Sequence, residues 1–540
     1  MRISKTALIL CAIFVICALQ AVMLRDLSPV NELNTVAIAK SALTQGRLFF
    51  FDEEAYGAQA AGPLYYWVCM AGLAIEGSQA SVFLLSLNLA LFIAMLLCLE
   101  RTFSPLVMKS FSGAGIISII AMPYVASSVF MARGSMIYCF LLCLAACFLA
   151  ARTQQVLADP AMQSVRGRVA LPILLILLTL DRGLFGAVIP PLCVLIVLIV
   201  KCRARAFLRV YKPWWLLCPL GAFAIWGAMA FLEGGRGYFT WVFIDTPINM
   251  LTGAAGHDHG LLWLLAVALM LSLPQGPCFA YAAVRTLLTE RSQIPVRALY
   301  CAALPLAVVV VCAIPQSKGD TSLLPALPTL SYFLVNYFEK NGCRDIAVKV
   351  LLTAGFLPFS ALLAACYFLN DDFALLNGVF VVTALSFIVL FTVLAVFKTI
   401  NADGIRGLSA FGAGVMAAVL ALGFAMPRMN AYLSPAQAVR TIAEHSTQSG
   451  IRKVCVAGIP HSWTLSLASP RLAYREKGTL EMLRDECVRS YRLIGRGALR
   501  DHPEYDPLRR LPGAYMVGDS LVVDPAAPRF VRKNGERRWY

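Results

Sequence analysis

The residues best suited to chemistry are one carboxylate and several cations, all in short polar segments beside long apolar runs. Glu32 follows the first apolar run, and Arg182, Arg236 and Lys318 lie beside later ones. Cations at the ends of apolar runs can hold a phosphate group, because they supply both charge and hydrogen-bond donors. A carboxylate opposite them could take a proton from a hydroxyl or orient it.

Composition identifies a polytopic membrane protein. The chain has 540 residues, of which 59% are hydrophobic and 14% charged, and its mean hydropathy is +0.73. The formal charge of +16 does not indicate nucleic-acid binding, because Lys and Arg gather in short segments between apolar runs. Such segments belong in cytoplasmic loops near anionic lipid. This rule places 201–212, 285–297 and 340–349 inside.

The chain is predicted to be mainly α, with about 13 transmembrane helices. Fourteen apolar runs are present, but fourteen crossings would return the C-terminal region to the cytoplasm, so one run between 63 and 151 should be re-entrant or fused with its neighbour. The first run reads as an uncleaved signal anchor. The runs are 6–24, 63–77, 80–99, 111–131, 135–151, 169–181, 183–200, 214–231, 259–275, 298–314, 321–337, 349–369, 374–397 and 407–425.

We divide the chain into a membrane domain, residues 1–426, and a small external α/β domain, residues 427–540. Helical periodicity covers 435–446, and 453–458 and 520–524 have the pattern of short strands. Most of the 17 cysteines lie in or beside apolar runs as small hydrophobic residues. Only Cys455 and Cys487 lie in the polar C-terminal region, where a disulfide is an open alternative. No Cys/His spacing predicts a metal site.

The first external loop, residues 25–62, should contain a short amphipathic helix lying on the membrane. Ser28 and Pro29 form a helix-start signal, and Gly46 is a stop signal. Asn31 and Glu32 then fall in the first turn. The simplest alternative is that Glu32 is a solvated residue that interacts favourably with the helix dipole.

The other candidates also have ordinary structural explanations. Arg182, beside Asp181, could be an anchor at the end of a membrane span, and so could Lys318. Arg236 and His257 lie in the polar segment 234–259, which could be a plain external loop. His257 and His259 would point to opposite faces of an extended chain, so no metal is expected there.

Four landmarks in this order resemble polyprenyl-phosphate-dependent glycosyltransferases of the membrane-embedded type C fold. That group includes the lipid A aminoarabinose transferases and the protein O-mannosyltransferases. The landmarks cover about residues 6–340. They are Asn31-Glu32 followed by Pro-Leu-Tyr-Tyr-Trp at 63–67, Arg182-Gly183, the Asn249 to His259 segment, and Ser317-Lys318 followed by Leu-Leu-Pro-Ala-Leu-Pro at 323–328.

The resemblance implies a bacterial inner-membrane enzyme whose active site faces the periplasm. The donor would be a polyprenyl-phosphate sugar, and the acceptor lipid A, a lipid-linked glycan or a protein, in an inverting single displacement without cofactor or metal. Glu32 would be the base or acceptor guide, with Asn31 as its hydrogen-bonding partner. The implied substrate and phosphate ligands are Lys318, Arg182, Arg236, His257 and Tyr65.

Two departures from the family pattern leave a second hypothesis open. Asn31 stands where the family commonly has Asp, and 60–63 read Ala-Ala-Gly-Pro where it commonly has Glu-Lys-Pro-Pro. The alternative is a non-catalytic relative that binds lipid-linked glycan or assists a partner glycosyltransferase. A transporter would require paired charges within the spans, which carry almost none.

Overall fold

The structure, a computed structural model, is a helical bundle with a small mixed sheet near its C-terminal end. It describes residues 4–28, 32–53, 62–77, 80–107, 112–158, 166–252, 260–290, 293–314, 320–341, 345–362, 379–459, 464–477, 482, 485–495, 498–499, 502–511, 513–517, 520–526, 531–533 and 536–538.

By length and composition, the described residues include eight helical segments that could cross a membrane, or nine if one bent pair counts as a crossing. Two of the eight, 169–200 and 214–252, contain the hairpins described below. This confirms a multi-pass membrane protein, while thirteen crossings remain a prediction. The helices are α1 Lys5–Leu24, α2 Asn34–Thr44, α3 Pro63–Glu76, α4 Ser81–Phe103, α5 Ala114–Ile120, α6 Pro123–Ser127, α7 Ser135–Ala158, α8 Arg166–Val200, α9 Phe207–Val210, α10 Trp214–Thr240, α11 Thr246–Thr252, α12 Leu261–Leu271, α13 Gly276–Thr289, α14 Val296–Ala313, α15 Leu327–Asn341, α16 Ile346–Ser360, α17 Val379–Asn401, α18 Gly404–Leu433, α19 Ala436–Ser449, α20 Leu465–Ala468, α21 Asp485–Val488 and α22 Asp506–Arg509.

Helix α8 is a hairpin that reverses at Arg182 and Gly183, where the backbone leaves helical geometry. A Cβ at Gly186 would lie 2.8 Å from the Leu178 carbonyl oxygen, although eight residues span about 12 Å along a straight helix. The limbs 166–181 and 183–200 therefore run side by side. They match the two apolar runs predicted here, and Arg182 stands at the tip that joins them.

Helix α10 and its continuation form a second hairpin, which turns at Gly235 (φ +74°). The Phe223 and Phe243 rings are 5.1 Å apart, although twenty residues of straight helix would separate them by about 30 Å. The segment expected to be an external loop is consequently helical over 236–252. Its aromatic residues pack against the first limb.

A further apolar run is interrupted. The run 111–131 is divided among α5, α6 and a 3-10 turn at Ser128–Phe130. The run 259–275 ends at a bend of 108° between α12 and α13. The prediction that one run between 63 and 151 does not cross as a single helix therefore fits the interruption of 111–131 best.

The C-terminal region contains a five-stranded sheet in the order β2-β1-β3-β5-β4. β1 pairs in parallel with β2 and β3, whereas β5 pairs antiparallel with β3 and β4. Helix α19 covers one face, and Cys455 and Cys487 form a disulfide on the other. The strands are β1 Lys453–Ala457, β2 Ala473–Glu476, β3 Tyr491–Ile494, β4 Ala514–Val517 and β5 Ser520–Val523, followed by the hairpin β6 Val531–Lys533 and β7 Glu536–Arg538.

The last long helix and α19 attach to the end of α1. α18 continues past the predicted boundary at 427 to Leu433. The Asn430 side chain donates to the Leu24 carbonyl and accepts from the Asp26 N–H. Arg440 on α19 forms an ion pair with Asp26, 2.8 Å between Nη2 and Oδ1. The sheet region and the first loop therefore lie at the same end of the bundle.

We predict that Gly183→Ala destabilises the α8 hairpin. Gly183 has φ +63° and ψ −157°, a conformation essentially restricted to glycine, and forcing it on alanine costs about 1–3 kcal/mol. Thermal unfolding of the purified protein in detergent should show a lower midpoint. Gly221→Ala is the matched control, since an ideal Cβ there meets no atom within 4 Å and alanine favours helix. Equal midpoints for the two variants would contradict the assigned turn.

Candidate functional site

Glu32 is buried and fully hydrogen-bonded. Its carboxylate forms a bidentate pair with Arg25, at 3.1 Å and 3.0 Å, and also accepts the N–H groups of Ser28 at 2.7 Å and Ala132 at 2.8 Å. The side chain is only 2% exposed, so it is not the solvated residue of the simplest alternative. The carboxylate joins the end of α1 to the segment that precedes α7.

That segment also brings Tyr65 and Asp181 close together. A Cβ at Gly134 would lie 3.2 Å from the Tyr65 ring and 3.6 Å from Asp181 Oδ1. The start of α3 touches the same place, because a Cβ at Gly62 would meet the Leu180 carbonyl oxygen. The tip of the α8 hairpin thus meets both the end of the first loop and the residues beside Ala132.

Two polar atoms in this cluster lack conventional hydrogen bonds among the described residues: the Tyr65 hydroxyl, which lies near the weakly polar Cys69 thiol, and Asp181 Oδ2. Asp181 is 5% exposed, and Arg182 Nε stands 3.5 Å from its Oδ2. Buried polar groups are normally hydrogen-bonded. The unsatisfied atoms therefore mark the cluster as a site where a polar ligand could bind.

Arg182 is the cation of this cluster that a ligand could reach. Its side chain is 36% exposed, and its guanidinium lies 5.4 Å from the centre of the Tyr138 ring on α7. A partly exposed guanidinium on a rigid turn can form two parallel hydrogen bonds with a phosphate. By contrast, the Arg25 guanidinium is 11% exposed and already paired.

A second set of contacts fixes the remainder of the first loop to the α10 hairpin. The Glu233 carboxylate accepts the consecutive N–H groups of 48–50, at 2.7–3.0 Å. Tyr238 donates to the fully buried Glu53 and accepts from the Phe51 N–H. Its ring also packs against Phe50, with centroids 4.7 Å apart. These contacts hold the loop between both hairpins.

The predicted site residues are only partly brought together. Tyr65 and Arg182 belong to the cluster that Glu32 anchors. The Arg236 side chain is exposed just beyond the second turn, and no described contact joins it to that cluster. The remaining predicted residues, Asn31, His257 and Lys318, lie outside the described residues. Among the described residues no group of His, Cys, Asp and Glu could hold a metal ion.

Sequence reasoning missed two residues that shape the site, Arg25 and Glu233, and the segment 132–134. Arg25 is seven residues before Glu32, its partner. Arg133 lies between Ala132 and Gly134, whose contacts are described above. Glu233 accepts a hydrogen bond from Leu48, 185 residues earlier in the chain. Only Arg133 had a recognisable sequence pattern, because with Gly134 it forms an Arg-Gly dipeptide at the start of a span, as Arg182 does with Gly183.

Comparison of the fold with solved structures assigns the chain to a structural class. Crystal structures of ArnT from Cupriavidus metallidurans cover 97% of this chain and 99% of their own, at 15% identity. The structure bound to undecaprenyl phosphate gives a TM-score of 0.67 and the apo structure 0.62. The predicted type C glycosyltransferase fold is thereby confirmed. No protein-family profile matches the chain, and no curated protein matches it.

We predict that Glu32→Gln lowers the free energy of unfolding by about 3–5 kcal/mol, the usual cost of breaking a buried ion pair. The substitution would leave Arg25 without its charged partner. Chemical denaturation in detergent measures the loss. Glu290→Gln is the control, since the Glu290 side chain is partly exposed, at 37%, and lies 4.0 Å from Lys340. If both variants were equally stable while Glu32→Gln alone lost activity, Glu32 would act in the chemistry instead of holding the loop.

Proposed function

We propose that the protein is an inner-membrane glycosyltransferase that moves a sugar from a polyprenyl-phosphate donor to an acceptor on the periplasmic side. The observation that carries this proposal is the cluster at the α8 tip, where a partly exposed arginine stands beside two buried polar atoms that lack conventional hydrogen bonds among the described residues. The ArnT structure with the same fold holds undecaprenyl phosphate, and a lipid phosphate is the ligand such a cation suits.

Arg182 is proposed to bind the phosphate that leaves when the glycosidic bond breaks. Negative charge grows on that oxygen in the transition state, and a fixed cation stabilises it without reorganisation. Asp181 keeps the guanidinium near the tip, at 3.5 Å. Lys318 is proposed to add a second cation, as the sequence resemblance implies, and Arg236, His257 and Tyr65 to assist in binding.

Glu32 is proposed to guide the acceptor by positioning the loop around it. Both of its oxygens already accept two hydrogen bonds each, which favours positioning over proton transfer. An acceptor that is already a phosphate would need no base, whereas an acceptor hydroxyl would give its proton to a base on the face of the sugar opposite the phosphate that Arg182 holds. Asn31 is proposed as a further hydrogen-bonding group beside the acceptor.

The acceptor attacks the anomeric carbon as the bond to the lipid phosphate breaks, so the configuration is inverted. The products are the glycosylated acceptor and a free polyprenyl phosphate. Lipid A, a lipid-linked glycan and a protein all remain acceptor candidates. The alternative is a non-catalytic protein that binds a lipid-linked glycan. It is favoured by the amide at position 31 in place of the family's carboxylate.

We predict that Arg182→Ala weakens the binding of undecaprenyl phosphate about tenfold or more, because one charge-assisted contact is lost. Native mass spectrometry of the purified protein with added undecaprenyl phosphate measures this. Arg205→Ala is the matched control, since Arg205 is an exposed arginine in the segment predicted to be cytoplasmic. An identical affinity in the two variants would rule out the proposed phosphate contact. Arg182→Lys should recover part of the binding.

A further inference from the structure

A cavity on the C-terminal sheet is lined by cations. It encloses about 580 Å³, and its described lining includes Lys453, Arg475, Lys477 and Arg489 but no carboxylate. Ligand pockets commonly fall between about 300 and 1,000 Å³. The cavity is therefore large enough for a phosphorylated sugar or a lipid headgroup.

The strand register explains how cations from distant positions meet. In the parallel pair, Lys453 is opposite Ala473 and Cys455 is opposite Arg475. Residues two apart point to the same face, so Lys453 and Arg475 share the face opposite helix α19. The Lys477 N–H donates to the Val456 carbonyl at 2.9 Å, which extends the pairing and fixes the chain at Lys477.

The residues at and after the disulfide form the remaining wall of the cavity. Cys455 lines the cavity from β1, and its partner Cys487 lies two residues before Arg489. The Cys487 carbonyl also accepts a hydrogen bond from Arg492 Nε, at 3.0 Å. The disulfide and the hydrogen bond from the buried Arg492 therefore fix the backbone at Cys487 to the sheet. This holds Arg489, two residues later, at the same cavity as Lys453.

Protection of the sheet edge against pairing with another chain does not explain all four cations that line the cavity. β2 is an edge strand, and charged side chains there prevent pairing with another chain. This reason accounts for Arg475 and Lys477. It does not account for Lys453, which is on the interior strand β1, or for Arg489, which follows α21. Lys453, Arg475 and Arg489 bring three like charges to one cavity whose described lining holds no carboxylate, and like charges repel each other unless an anion joins them.

We propose that this cavity is a binding site for a phosphate-bearing headgroup, separate from the transfer site at the α8 tip. The two exposed arginines, Arg475 and Arg489, would form paired hydrogen bonds to phosphate oxygens, and Lys453 would add charge. A phospholipid and a soluble sugar phosphate share this chemistry. The inference does not depend on the proposed transferase activity.

The test is isothermal titration of the full-length protein in neutral detergent with dihexanoyl phosphatidylglycerol, and separately with glucose 1-phosphate. Dihexanoyl phosphatidylcholine is the uncharged control. Binding of the phosphatidylglycerol alone would identify a lipid headgroup, binding of glucose 1-phosphate alone a soluble phosphate, and both a general phosphate site. Failure of both to bind the unaltered protein would overturn the proposal.

The variant Arg475→Glu/Arg489→Glu should raise the dissociation constant at least about tenfold, and added salt should weaken binding. The matched control is Arg471→Glu/Arg510→Glu, which makes the same charge change at exposed arginines that are not among the described lining residues. Equal loss in both pairs would show a diffuse charge effect and contradict the site. Arg475→Gln/Arg489→Gln, which introduces no new charge, should also lose binding.

Discussion

The buried pair between Arg25 and Glu32 is the interaction on which the site depends. It joins the end of α1 to the start of the first loop, and through the Ala132 N–H it joins both to the segment before α7. In a weakly polar environment such a pair is favourable only when its remaining hydrogen-bonding positions are filled. Here two backbone N–H groups fill them, so the fold around the carboxylate is tightly specified.

The two hairpins then complete the enclosure from either side. The α8 tip carries Arg182 close to Tyr65. The α10 turn provides Glu233 and Tyr238, whose side chains bond to the backbone of residues 48–51. Each reversal takes place at a glycine with positive φ, where other residues would be strained. Rigid turns of this kind suit a site that must hold a charged headgroup in one geometry, because little reorganisation is needed on binding.

Much of the fold could be predicted from sequence, because apolar runs, polar breaks and glycines report local structure directly. The loop helix, the break at Arg182-Gly183, helix α19 and the strands β1 and β5 were all predictable in this way. The helical limb 236–252 was not, since its aromatic residues find their partners on the preceding limb. The environment of Glu32 depends on residues up to 100 positions away. Likewise, the disulfide and the basic cavity exist only once the parallel register is formed.

Mass spectrometry of envelope lipids and glycans tests the central claim most directly. Cells of the native host with and without the gene would be compared, and the gene supplied again as the control. The account predicts that, without the gene, one glycan or lipid loses a single sugar while the matching polyprenyl-phosphate sugar accumulates, and that the restored gene reverses both changes. If neither species changed in cells that normally express the protein, the transferase account would be contradicted and the non-catalytic alternative favoured.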